Sequence, residues 1–101
     1  MQIQYDEHFD RDMGCTEAEW LRWLPLASGS HVARVDAVAH RAAVDIGAGS
    51  CAISWSLLPD RQIALMRIPR LAVSFRFSGV DADQRAQFMR YFDLHTQRGG
   101  G

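Results

Sequence analysis

The stretch from Leu71 to Phe77 most narrows what this chain can become. Leu71, Val73, Phe75 and Phe77 alternate with Ala72, Ser74 and Arg76, and a period of two marks a strand with one apolar and one polar side. The same period begins upstream. Val44 and Ile46 alternate, Gly47-Ala48-Gly49-Ser50 turns the chain, and Ile53, Trp55 and Leu57 alternate again. That pattern predicts a hairpin. Pro59-Asp60 reads as a second turn, and Ile63 to Ile68 as strand-like. Pro69 cannot donate to a ladder, so it must mark a turn, a bulge or an edge.

Helical signals flank this meander. Thr16 followed by Glu19 spells a capping box, in which hydroxyl and carboxylate each satisfy a first-turn amide. Trp20, Trp23, Leu24 and Ala27 then recur at i, i+3, i+4 and i+7, an apolar stripe that points these side chains at the sheet. Pro25 is expected to end or kink that helix. Asp81 and Gln84 repeat the capping pattern ahead of Phe88, Met89 and Phe92, and a long helix to about Arg98 is expected, stopped at Gly99. Residues 1–9 place Ile3, Tyr5 and Phe9 at odd positions and read as a first strand, closed by the polar run Asp10-Arg11-Asp12-Met13-Gly14. In residues 28–41, Val32, Val35, Ala39 and Ala42 fit helical spacing although valine also suits strands, and a short irregular helix is expected.

These pieces predict an α+β fold: an antiparallel meander sheet of four to five strands, with an N-terminal helix and a long C-terminal helix packed on one face. A chain of 101 residues supports one core, so residues 1–98 are read as one domain and residues 99–101 as a flexible glycine tail. The expected covered face carries Val44, Ile46, Ile53, Trp55, Leu57, Leu71, Val73, Phe75 and Phe77. The opposite face carries Asp45, Ala52, Ser54, Ser56, Ala72, Ser74 and Arg76.

Composition removes several classes of function. A net charge of −1 exerts no general pull on nucleic acid or anionic lipid. All basic residues are Arg, so there is no lysine for a Schiff base or a phosphate loop. Cys15 and Cys51 are too few for a secreted disulfide scaffold. The opening residues carry neither a basic region nor an apolar run, and no stretch approaches the ~18–20 apolar residues of a membrane helix. A cytoplasmic protein with neither membrane nor nucleic-acid partner is expected.

No motif singles out a chemistry. Gly47-Ala48-Gly49-Ser50-Cys51-Ala52 spells a dinucleotide fingerprint, but that fingerprint opens a helix, and residues 51–57 alternate as a strand. Asp6, His8 and Asp10 would share one side of a strand, yet a solvated strand end accounts for them better than a metal site. No zinc spacing and no nucleophile elbow occurs. Gly99-Gly100-Gly101 resembles the diglycine tail of ubiquitin-like sulfur carriers, but there the tail leaves a strand and here it leaves a predicted helix. Arg67, Arg70 and Arg76 lie near Phe75 and Phe77, whose alternation turns the rings inward, away from any base. Neither a catalytic residue, a metal site nor a cofactor is assigned.

Two functions are therefore expected. The first is a non-catalytic accessory domain that contacts an unidentified protein or a second copy of itself. Its interface would be Ala52, Ser54, Ser56, Ala72, Ser74 and Arg76, a small, flat face that suits docking, while plain solvent exposure, or cover by residues 28–41, accounts for it as well. The alternative is a ligand-binding or enzymatic cleft between helices and sheet, lined by Trp20, Trp23 and Trp55 with Cys15 or His95 as its polar contribution. Cys15 precedes the Thr16 cap, where a helix dipole could activate a thiol, but no base is local and an inert thiol is expected.

Overall fold

In a computed structural model, which describes residues 4–96, the strands and helices follow in the order β1 (His8–Met13), α1 (Glu17–Ala27), β2 (Ala33–Asp36), β3 (Arg41–Ile46), β4 (Gly49–Ile63), β5 (Met66–Ser78) and α2 (Ala82–Thr96). The strands form one five-stranded sheet ordered β1-β5-β4-β3-β2, with every pair antiparallel. The fold is α+β, as the alternation and caps require. Strands β2 to β5 are a meander, and β1 returns along the free edge of β5.

Both capping boxes are formed. Glu19 N donates to Thr16 Oγ1 at 3.1 Å while Thr16 N donates to Glu19 Oε1 at 3.0 Å. Gln84 N donates to Asp81 Oδ1 at 2.8 Å, and Asp81 N donates to Gln84 Oε1 at 3.1 Å. Each satisfies amides that a helix start leaves unpaired. The core joins Trp20, Leu24 and Ala27 of α1 and Phe88, Met89 and Phe92 of α2 to Val44, Ile53, Trp55, Val73, Phe75 and Phe77 of the sheet. Ring contacts tie the layers: Trp20 meets Trp55 edge-on at 5.7 Å, and Phe92 and Phe88 meet Phe75 and Phe77 at 5.4 and 6.0 Å. Such contacts add to what burial alone contributes.

The structure departs from the expectations at five places. The first strand is His8–Met13, so the polar run continues it instead of closing it. Phe9, Arg11 and Met13 alternate inward while Asp10 and Asp12 face out. Arg11 tolerates its position because its guanidinium pairs with Asp93 of α2 at 2.6 Å and lies over the Phe75 ring at 5.4 Å. Ile3 lies outside the described residues.

Residues 28–41 hold the edge strand β2 and turns, not a helix. Ser28 N and Oγ both donate to Leu24 O, and Gly29 then takes φ +63, which ends α1. β2 pairs with β3, where its valine finds a ladder. A turn follows, in which Asp36 Oδ1 accepts from Ala39 N at 3.1 Å and His40 adopts φ 56.

Pro25 does not stop α1, which runs through it to Ala27. In the last turn it removes only one helical donor.

Pro59-Asp60 is not a turn: β4 runs on to Ile63, and Ala64, at φ 53, begins the actual reversal with Leu65. The register shifts between Leu58↔Arg70 and Arg61↔Ile68, so Pro59 and Asp60 oppose Pro69 alone. This is a bulge, one of the roles open to Pro69, placed where neither proline could donate.

Leu57, expected on the covered face, is 63% exposed. The β4–β5 ribbon outruns its neighbours there. The β3 ladder ends at Arg41↔Ser54, and the β1 ladder at Met13↔Leu71. α2 is described to Thr96, so the expected stop near Arg98 and the glycine tail lie outside the described residues.

Candidate functional site

Register fixes which side chains share the sheet face opposite Phe75 and Phe77. One row across the strands is His8-Arg76-Ala52-Ala43-Arg34, and the next is Asp10-Ser74-Ser54-Arg41-Asp36. A third carries Asp12-Ala72-Ser56. Paired residues across a ladder point to the same side, so the predicted interface residues Ala52, Ser54, Ser56, Ala72, Ser74 and Arg76 form one contiguous patch. Ala52, Ser54, Ser56 and Arg76 are exposed, and Ala72 and Ser74 are half-buried. A shallow depression of about 350 Å³ lies over Ser54, Ser56, Ala72 and Ser74, with Asp10 also in its lining.

The charges at the edges are partly committed. Arg34 grips Asp45 with two bonds at 2.9 and 3.0 Å, which holds that carboxyl below its ordinary range. Arg70 donates to Asp12 at 2.7 Å. His8 approaches Asp10 at 3.8 Å. Arg41 and Arg76 make no ion pair among the described residues. Past the bulge, the ribbon ends in the exposed apolar side chains of Ile63, Leu65 and Met66.

The five residues proposed for a cleft have different surroundings. Trp20 is fully buried, and Trp55 is nearly so. Trp23 is half-buried against the core, and Cys15 is 1% exposed. His95 is exposed on α2, stacked on Tyr91 at 4.1 Å. Side chains of α1, α2 and the sheet occupy the space around Trp20 and Trp55.

Two arrangements went unread in the sequence. Glu17 Oε2 accepts the Trp55 indole N–H at 2.8 Å and contacts His40 Nδ1 at 2.5 Å. The indole bond is the largest single cause that holds this carboxyl below its ordinary value; burial opposes it, and His40 lowers it further by hydrogen bond and charge. The other is a cavity of about 400 Å³ between the end of α1, the β3–β4 turn and α2. Its residues lie too far apart in sequence for spacing to join them. Among the described residues, no three His, Cys, Asp or Glu side chains gather in a metal-holding group. No described helix is long and apolar enough to cross a membrane. Comparison with protein-family models, curated proteins and solved structures finds no match for the chain.

Proposed function

We propose that this chain is a small cytoplasmic accessory domain that acts by protein contact, without catalysis, and that it self-associates through the patch centred on Ser54 and Ser74. One observation carries the reading. The middle of a five-stranded sheet exposes alanine and serine, where a solvated face ordinarily carries threonine and long charged side chains. Small residues let a second sheet come within the ~10 Å of face-to-face packing.

Shape agrees. The shortest dimension is 21 Å, close to one helix layer on one sheet layer, which leaves no third layer over the patch among the described residues. The exposed Ile63, Leu65 and Met66 extend apolar surface along the ribbon. Against an enzymatic cleft between helices and sheet stands the packing of Trp20, Trp55, Phe75 and Phe92 in that space.

Sedimentation of wild type and Ser54→Arg tests the proposal. Wild type should be a dimer at micromolar concentration and the variant a folded monomer. A wild type that stays monomeric at high micromolar concentration overturns the reading.

A further inference from the structure

The cavity beside α2 is formed by two glycines that let three elements converge. Gly29 has φ +63, and a Cβ there would lie 3.0 Å from the Tyr91 ring. Gly47 has φ +58, and its Cβ would lie 3.1 Å from Gln84 Nε2. A side chain at either position would be tight by a few tenths of an ångström and strained in φ, so glycine eases the approach of the α1 end and the β3–β4 turn to α2. Between them remains about 400 Å³, within the ~300–1,000 Å³ typical of small-molecule sites.

Its chemistry is specific. The walls are the rings of His31, Phe88 and Tyr91 with the side chain of Ile46, and His31 stands edge-on to Phe88 at 5.6 Å. No Asp, Glu or Arg lines it among the described residues. The polar contribution is two carboxamides one helical turn apart, Gln84 and Gln87, with Ser30 opposite. Gln84 is held in place from behind. Its Oε1 accepts Asp81 N at 3.1 Å in the capping box, which leaves Nε2 turned toward Gly47 and the cavity as a fixed donor.

We propose that this cavity binds a small uncharged planar ring bearing an amide-like edge, an aromatic carboxamide or a nucleobase. Rings pack on aromatic walls, and a carboxamide offers the adjacent donor and acceptor that such an edge matches in two bonds. A carboxylate of the same shape would meet no Arg among the described lining residues and only the His31 imidazole to offset its charge, so its entry costs more than that of the neutral amide.

Amide chemical-shift titrations separate the cases. Benzamide should shift Gly29 to His31, Gly47 and Gln84 to Tyr91 at millimolar concentration, and adenine tests the fused-ring source through the same residues. Benzoate should bind at least about tenfold more weakly than benzamide. Gln84→Glu keeps the capping acceptor and therefore the melting temperature, but it removes the donor and should weaken benzamide or adenine about tenfold. The proposal is overturned if neither probe shifts these residues, if benzoate binds as well as benzamide, or if Gln84→Glu binds both probes as wild type does.

Discussion

Glu17, the first residue of α1, accepts the indole N–H of Trp55 from the middle of β4 at 2.8 Å, so one carboxylate ties the helix start to the central sheet. The same oxygen contacts His40 Nδ1 at 2.5 Å, in the turn before β3. His40 has φ 56, a conformation that a non-glycine side chain adopts at some cost. The bond to Glu17 helps to hold it there.

Acid should loosen this tie. The ordinary value for Glu17 is 4.5, and the folded value is lower, chiefly through the Trp55 bond. As pH falls, the unfolded chain therefore binds this proton first. The stabilisation is complete above 4.5 and disappears as pH falls through the folded value. Glu17→Gln keeps an acceptor for the indole but cannot titrate, so its melting temperature should decline less between neutral and acid pH. Parallel profiles for the two proteins would show that the carboxylate is not linked to folding.

Burial ranks the tryptophans of the α1 stripe. Trp20 has no exposed surface and touches Trp55 and Phe92, whereas Trp23 is half-buried at the margin of the core. Trp20→Ala should cost about 3–5 kcal/mol in denaturant melts, and Trp23→Ala less than about half of that. A larger loss at Trp23 would mean that this ring is wedged more deeply than its exposure indicates.

Legibility followed the range of the physics. The capping boxes at Thr16–Glu19 and Asp81–Gln84 and the alternation of Leu71 to Phe77 are local, and the structure repeats them residue for residue. The β1 register was hidden because Arg11 behaves as an inward residue only through Asp93, which lies in the last helix. Pro59-Asp60 looks like a turn, and only the opposing Pro69 makes it a bulge. β2 is short and lies at an edge, so its pairing with β3 outweighed a helical spacing that was no stronger. The small outward face was readable from alternation alone. The cavity and the Glu17–Trp55 bond join residues from distant elements and carry no local signal.

Both thiols should be silent in the folded protein. Cys51 is buried in β4, and burial pushes its pKa up to about 12. Cys15 stands before the Thr16 cap but is only 1% exposed. An aromatic disulfide reagent at neutral pH should therefore label neither until denaturant is added, and then both. Labelling of Cys15 within minutes in native buffer would contradict its burial and mark it as a reactive position.

In the row Asp10-Ser74-Ser54-Arg41-Asp36, Asp10 and Arg41 stand with opposite charge on either side of the two serines. If two copies stack face to face about an axis parallel to the strands, between β4 and β5, each Ser54 faces the partner's Ser74. Each Arg41 then faces the partner's Asp10. Neither group is strongly committed within the chain: Arg41 makes no ion pair among the described residues, and Asp10 has only the 3.8 Å approach of His8. Asp10→Arg or Arg41→Asp alone would set like charges together twice in a symmetric dimer and should raise the dissociation constant about tenfold. Asp10→Arg combined with Arg41→Asp exchanges the charges and should return it to within about threefold of wild type. Arg41 also stands across from Asp36 in β2, so the melting temperature of each variant must be compared to separate a fold defect from an interface defect. A double variant no tighter than its parents, with all the folds intact, would exclude this stacking.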